Sequence, residues 1–180
     1  CHSQWHLEYR MSTLELKELS HPAGEVIKIA AGKTLDLKSQ GTTTLPTGSV
    51  LQVVSMDTST VTSINSTSYV DTPITLTITP SSTSSKILCI WTIQVKFGAG
   101  ERGIGTKLLR GSATAYVSGT TYDVYAGADN DRQRPYWTVL DSPSTTSAVV
   151  YKVQVATYNT NVTVNDAGNS SQITLMEIQG

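Results

Sequence analysis

The sequence predicts an all-β fold, a jelly roll or β-sandwich knob behind a short N-terminal β arm. Three observations carry this. Short apolar segments with period-two alternation recur at roughly 8–15-residue spacing. Turn-forming runs such as Pro80-Ser81-Ser82-Thr83-Ser84-Ser85 and Asp141-Ser142-Pro143-Ser144 separate them. No amphipathic pattern of ordinary helix length interrupts the series.

Composition agrees. The 180 residues suffice for one β domain and an extension, not for two full domains. Charged residues make up 15%, against about 25% in ordinary soluble domains, and Ser and Thr fill the gap. Thr is β-branched and suits a pleated, half-wet surface. The net charge of −1 argues against a long-range field for nucleic acid or an anionic membrane. No apolar run nears the length of about 20 residues that a bilayer demands. The longest, Ile87 to Val95, is interrupted by Thr92 and Gln94. No basic-then-apolar signal peptide is visible.

Taken in order, Val50 to Met56 is the first strand of the main domain, and a weaker one lies within Val61 to Val70. Ile74, Leu76 and Ile78 alternate with Thr75, Thr77 and Thr79. Lys86 to Phe97 reads as one long strand whose odd positions, from Ile87 to Phe97, are all apolar. Leu88 and Ile90 make its first half apolar on both faces, as in a strand covered on both sides. Gly98 to Gly105 reads as a Gly-rich loop, Thr106 to Val117 as a strand or a pair, and Tyr122 to Tyr125 as a short strand. After a polar loop at 127–135 come Tyr136 to Leu140, Val149 to Val155, Val162 to Val164 and Ile173 to Ile178. The last is again apolar on both faces, through Ile173 and Leu175 and through Met176 and Ile178. That composition predicts a central strand.

The N-terminal region divides differently. Residues 1–24 form an arm, 25–48 a short β stalk and linker, and 49–180 the knob. Cys1 to Arg10 is unlike the Ser/Thr-rich remainder, and Met11 would serve as an ordinary start. Trp5, Leu7 and Tyr9 fall on one side of an extended strand, which makes them the candidate attachment surface. Ser12-Thr13-Leu14-Glu15 has capping-box spacing, although Leu14 and Leu16 also alternate as in a strand. Ile27 with Ile29 and Leu35 with Leu37 form two small strands around a turn at Ala31-Gly32-Lys33. Two such strands cannot bury an apolar face alone.

Signatures of catalysis are sparse, and the chain is expected not to be an enzyme. His2, His6 and His21 all precede the knob, so no histidine there can serve a Ser or Cys nucleophile. Gly98-Ala99-Gly100-Glu101-Arg102-Gly103 matches G-x-G-x-x-G but lacks the following helix that would receive a pyrophosphate. Asp129, Asn130 and Asp131 have oxygen ligands for Ca²⁺, yet Asx-rich turns have the same composition. Cys89 lies in the strongest strand and is expected to be an unpaired core thiol. No cofactor and no metal are expected. Tyr122, Tyr125, Asp129, Arg132 and Arg134 are the candidate surface-recognition residues, because aromatics and Arg dominate recognition hot spots. Tyr136 and Trp137 share that composition but read sooner as strand residues packed in the core.

Several segments resemble small virion structural proteins of marine phages, cyanophages among them. They are Leu45-Pro46-Thr47-Gly48-Ser49-Val50-Leu51-Gln52-Val53-Val54, Ser68-Tyr69-Val70-Asp71-Thr72, Ile78 through Leu88, Tyr136 through Ser147, and Ile173 through Ile178. The resemblance spans about residues 45–180 and implies a jelly-roll knob similar to tumour-necrosis-factor and C1q heads, trimerised about an axis. It implies a virion location, with an N-terminal segment joining other virion proteins. Leu88, Ile90, Met176 and Ile178 are the candidate trimer interface, since symmetric assembly buries self-complementary faces.

Two functions follow from such a trimer. One is a fibre or appendage knob that adsorbs to a host-surface glycan or protein through exposed loops. The other is a purely structural capsid decoration, head fibre or collar component. A secreted C1q- or lectin-like module is a third reading. Neither nucleic-acid binding nor membrane insertion is expected.

Overall fold

The alternation in the sequence becomes an antiparallel architecture. The computed structural model describes residues 31–33, 45–100, 103–159 and 161–180, and the chain divides into two units, Cys1–Thr44 and Leu45–Gly180. In the first unit the expected turn is present at Ala31–Lys33, with Gly32 at φ +73°. The arm with Trp5, Leu7 and Tyr9, the Ser12-to-Glu15 segment and the strands at Ile27–Ile29 and Leu35–Leu37 lie outside the described residues.

In the second unit the strands are β1 (Val50–Thr58), β2 (Thr62–Ile64), β3 (Val70–Ile78), β4 (Lys86–Thr92), β5 (Val95–Phe97), β6 (Gly103–Arg110) and β7 (Ala113–Val117). They continue as β8 (Val124–Tyr125), β9 (Arg132–Gln133), β10 (Tyr136–Asp141), β11 (Val149–Thr157), β12 (Val162–Val164) and β13 (Ser171–Ile178). The one helical element among the described residues is a 3₁₀ turn at Asp166–Gly168.

One sheet has the order β1-β13-β4-β10 and a second β3-β11-β6-β7, with β8 on β6. The eight longer strands interleave by chain order: first, eighth, third and sixth in one sheet, second, seventh, fourth and fifth in the other. This is the double Greek key of a jelly roll. The C-terminal strand β13 lies between β1 and β4, so it is central, as its two apolar faces predicted. A third sheet, β2-β12-β5-β9, extends the sandwich.

The core forms where the inward positions of the sheets meet. Ile87, Cys89 and Trp91 of β4 are fully buried, as are Ile173 and Leu175 of β13 and Tyr151, Val153 and Val155 of β11. Trp91 stands at the centre. Its ring stacks on Trp137 at 6.1 Å and meets Tyr116 edge-on at 5.5 Å. Its indole N–H donates across the sandwich to Thr106 Oγ1 at 3.3 Å, which satisfies the one polar atom that burial would otherwise strand. Trp137 is therefore core, whereas its neighbour Tyr136 is 73% exposed.

Three sequence expectations change. The segment Lys86 to Phe97 is two strands: β4 ends at Thr92 and β5 begins at Val95 in a different sheet. At the break the Gln94 N–H donates to Ser171 Oγ at 2.9 Å, and the Asn165 N–H donates to the Gln94 carbonyl at 3.0 Å. Ser171 Oγ donates in turn to Asn165 Oδ1 at 2.6 Å. Backbone groups that leave a ladder in a dry interior need such substitutes.

The Gly-rich segment does not run on to Gly105 as a loop, since Gly103 and Gly105 belong to β6. A Cβ on Gly103 would stand 2.6 Å from the Thr121 carbonyl, and one on Gly105 2.6 Å from the Thr120 carbonyl. These glycines admit a close backbone approach. The expected strand at Tyr122 to Tyr125 contracts to Val124–Tyr125.

Two carboxylates, the buried Glu177 and the partly buried Asp141, lie in one row across the first sheet, each paired with Ile87 of β4. Glu177 is fully buried and accepts hydrogen bonds from Gln52 Nε2 at 2.6 Å and from the Ser81 amide and hydroxyl, each at 2.7 Å. Burial raises its pKa, but the donor groups of Ser85, Gln52 and Ser81 outweigh burial and hold it below the ordinary 4.5. Asp141 receives Tyr151 Oη at 2.6 Å and Arg110 Nη1 at 2.9 Å, tying β10 to β11 and β6. Burial and the Asp141 hydrogen bond push the Tyr151 phenol well above its usual range.

Two predictions follow from these buried groups. A carboxyl whose folded pKa is depressed stabilises the fold above its unfolded pKa, and that contribution is lost as pH falls through the folded value. Urea unfolding should therefore show stability declining below about pH 4.5. Glu177→Gln should reduce this slope and cost about 1–3 kcal/mol at neutral pH; an unchanged slope would refute the assignment. The second concerns Cys89, whose thiol burial and then the Asp141 charge push up to about 12. Thiol labelling with mass mapping should leave residue 89 unmodified in native protein and modify it on unfolding.

Candidate recognition and assembly faces

In an antiparallel ladder, directly paired residues point to the same side of the sheet. The register of the β10-β4-β13-β1 sheet therefore identifies its outer face. Leu140 pairs with Leu88, Leu88 with Met176, and Met176 with Val53, so four apolar side chains form one row across all four strands. The next row runs Thr138, Ile90, Thr174 and Ser55. Ile178 lies beyond Met176 on the same side and pairs with Val50. All four sequence-predicted interface residues, Leu88, Ile90, Met176 and Ile178, thus share one face. They are half-buried, while Leu140, Val53 and Val50 at the edges are each about half exposed.

The predicted recognition residues gather into two groups. Tyr122 and Tyr125 have ring centroids 5.9 Å apart, and Tyr122 also meets Tyr158 at 3.8 Å. All three are exposed. Tyr158 was not foreseen; it follows β11 at the start of an Asn-rich run, and only its neighbours in space reveal it.

Arg132 and Arg134 line a recess of about 190 Å³ together with Gln94, Gln133 and Asn169. Arg132 pairs with Asp166 at 2.6 Å. Gln133 links the two groups, donating through Nε2 to the Tyr125 carbonyl at 3.1 Å and to Asp131 Oδ2 at 3.0 Å. The Asp131 carboxylate also accepts the Arg132 amide at 2.9 Å, and Asn130 takes φ +58°. Asp131 thus holds the loop's shape as an Asx turn does. Asp129 is exposed in the same loop.

A second recess of about 230 Å³ is lined by Lys96, Phe97, Gly98, Asn130, Asn161 and Thr163. Lys96 and Arg132 are direct cross-strand partners between β5 and β9, so both recesses open on the same face of the third sheet. Gln94 and Lys96 escaped the sequence reading because a polar residue within an apolar run carries no mark of what its side chain meets, and Asn169 because it follows the turn at Asp166–Gly168, far in sequence from the residues it joins.

No family model matches the chain, and no curated protein matches it. Among solved structures it is similar to chains of infectious bursal disease virus particles. One is from the T13 viral particle, with TM-score 0.41 and 8% identity over 82% of this chain and 40% of that one. Another is from the Gx strain, with TM-score 0.43 and 8% identity over 82% of this chain and 41% of that one. The chain thus spans about two fifths of the length of those proteins. At such identity and TM-score, neither family nor function follows from the likeness.

Proposed function

We propose that the chain is a non-enzymatic virion structural protein, a trimeric appendage knob that adsorbs to a host surface. The observation that carries this is the apolar outer row Leu140–Leu88–Met176–Val53, with Ile90 and Ile178 beside it. An antiparallel sheet with one wet face alternates apolar and polar residues, whereas β4 and β13 also carry Leu88, Ile90, Met176 and Ile178 on the outside. A contiguous exposed apolar patch marks an interaction surface. Copies of the same chain satisfy it with self-complementary contacts, and the resemblance to jelly-roll heads favours three copies about an axis. The exposed tyrosines and the 127–135 loop then face away as the adsorbing surface. Residues 1–24, with Trp5, Leu7 and Tyr9, attach the knob to other virion proteins.

Sedimentation velocity tests the assembly. The intact chain should run as a trimer, and Val53→Lys with Leu140→Lys should convert it to a folded monomer, since both side chains are about half exposed and surface changes cost little folding energy. A monodisperse wild-type monomer or dimer would overturn the trimer. A chain beginning at Ser49 should keep its far-ultraviolet β spectrum and fail to join the particle; normal incorporation would place attachment elsewhere.

A further inference from the structure

The face of the third sheet that carries Lys96 and Arg132 breaks two rules of sheet chemistry at once. Lys96 and Arg132 sit directly opposite each other, and like charges in that position are destabilising. Asp166 pairs with Arg132, but no carboxylate is paired with Lys96 or Arg134 among the described residues. The second breach is Gln94. Its side chain is 3% exposed, and neither its amide oxygen nor its amide nitrogen has a hydrogen-bond partner. Leaving such a group unsatisfied costs about 1–3 kcal/mol. The same residue's backbone N–H and carbonyl are both satisfied, so the shortfall belongs to the side chain alone. Local rules broken together without a structural gain mark functional positions.

These features converge on one place. Gln94 is the buried member of the recess it shares with Arg132, Arg134 and Asn169, and Lys96 lines the adjoining recess with Asn130, Asn161 and Thr163. Each recess therefore combines a cation with amides or a hydroxyl. Residues 94 and 96 are two steps apart along an extended chain, about 7 Å. At about 190 and 230 Å³ the recesses fall below the range of about 300–1,000 Å³ usual for drug-sized ligands. They suit successive small units of a chain.

We propose that this face binds an acidic saccharide, a sugar chain bearing carboxylates. Arg134 receives a carboxylate in the planar fork that guanidinium offers. The Gln94 amide, with one donor and one acceptor side, and Asn169 take hydroxyls of the same unit. Lys96, Asn130 and Thr163 take the next unit. The net charge of −1 makes this a local site rather than a general attraction for polyanions. The inference rests on the adsorption reading and names the chemistry of the surface bound.

The test is calorimetric titration of the full-length chain with trigalacturonic acid, a glucuronate tetrasaccharide and disialic acid, against neutral trigalactose and inorganic phosphate. At least one acidic saccharide should bind more tightly than either control. Arg134→Met should weaken it by about tenfold or more, the scale of a hydrogen bond to a charged group. Gln94→Leu should also weaken binding while leaving the unliganded melting temperature unchanged or higher, because it removes a polar group that has no partner. Phosphate binding as tight as any saccharide would reduce the site to a bare anion hole and overturn the proposal. So would affinity indifferent to Arg134→Met, or Gln94→Leu that lowers the melting temperature without touching affinity. Binding of trigalactose alone would overturn the acidic class and leave the adsorption reading standing. Binding to no saccharide, coupled with no adhesion of the chain to host cells, would overturn both.

Discussion

The break at Ile93–Gln94 is the constraint on which the rest of the second unit depends. Strand β4 has to end there for β5 to enter the third sheet, and the backbone groups released by the break lie in a dry interior. Ser171 and Asn165 replace the lost ladder bonds, with Asn165 itself held in a left-handed conformation at φ +59° and donating through Nδ2 to the Thr60 carbonyl at 3.0 Å. The Ile93 N–H donates to the Pro135 carbonyl at 3.1 Å, which draws the 127–135 loop onto the same point. The polar network is buried and closed on its backbone side, which is the condition under which such networks specify a single arrangement. The polar recess that Gln94 lines opens beside this break.

The sandwich is pinned across its two sheets by a few directed contacts rather than by apolar area alone. Trp91 reaches from one sheet to Thr106 of the other, and Asp141 gathers Tyr151 and Arg110 from β11 and β6. Glu177 draws the Ser81 turn onto β13. Hydrophobic burial is non-directional, so these bonds set how the sheets are aligned while the core sets how strongly they adhere. Asp141 also follows Leu140 at the edge of the outer apolar row, so the alignment of the sheets fixes where that row ends.

The outer apolar row and the cationic recesses lie on different sheets. The outer row belongs to β1, β13, β4 and β10, whereas the cationic recesses belong to β5, β9 and β12. Chain continuity from β4 to β5 joins them. A chain built this way can cover the apolar row without closing the polar recesses.

Much of this was legible in the sequence because alternation is a local property. Ile87, Cys89 and Trp91 read as inward residues, Leu88 and Ile90 as a second apolar face, and β13 as central, and each statement needs only neighbours two positions away. The candidate interface residues were found in the same way. What the sequence could not settle is where distant segments meet. Gln94 looks like an ordinary polar interruption until Ser171, 77 residues later, takes its backbone N–H, while its buried side chain meets no hydrogen-bond partner among the described residues. Tyr158 joins Tyr122 only because the end of β11 pairs with the start of β6. Periodicity determined which side chains turn inward along each strand. The pairing of strands far apart in sequence decided which polar groups are satisfied, because a hydrogen bond is completed by its partner and not by its own residue type.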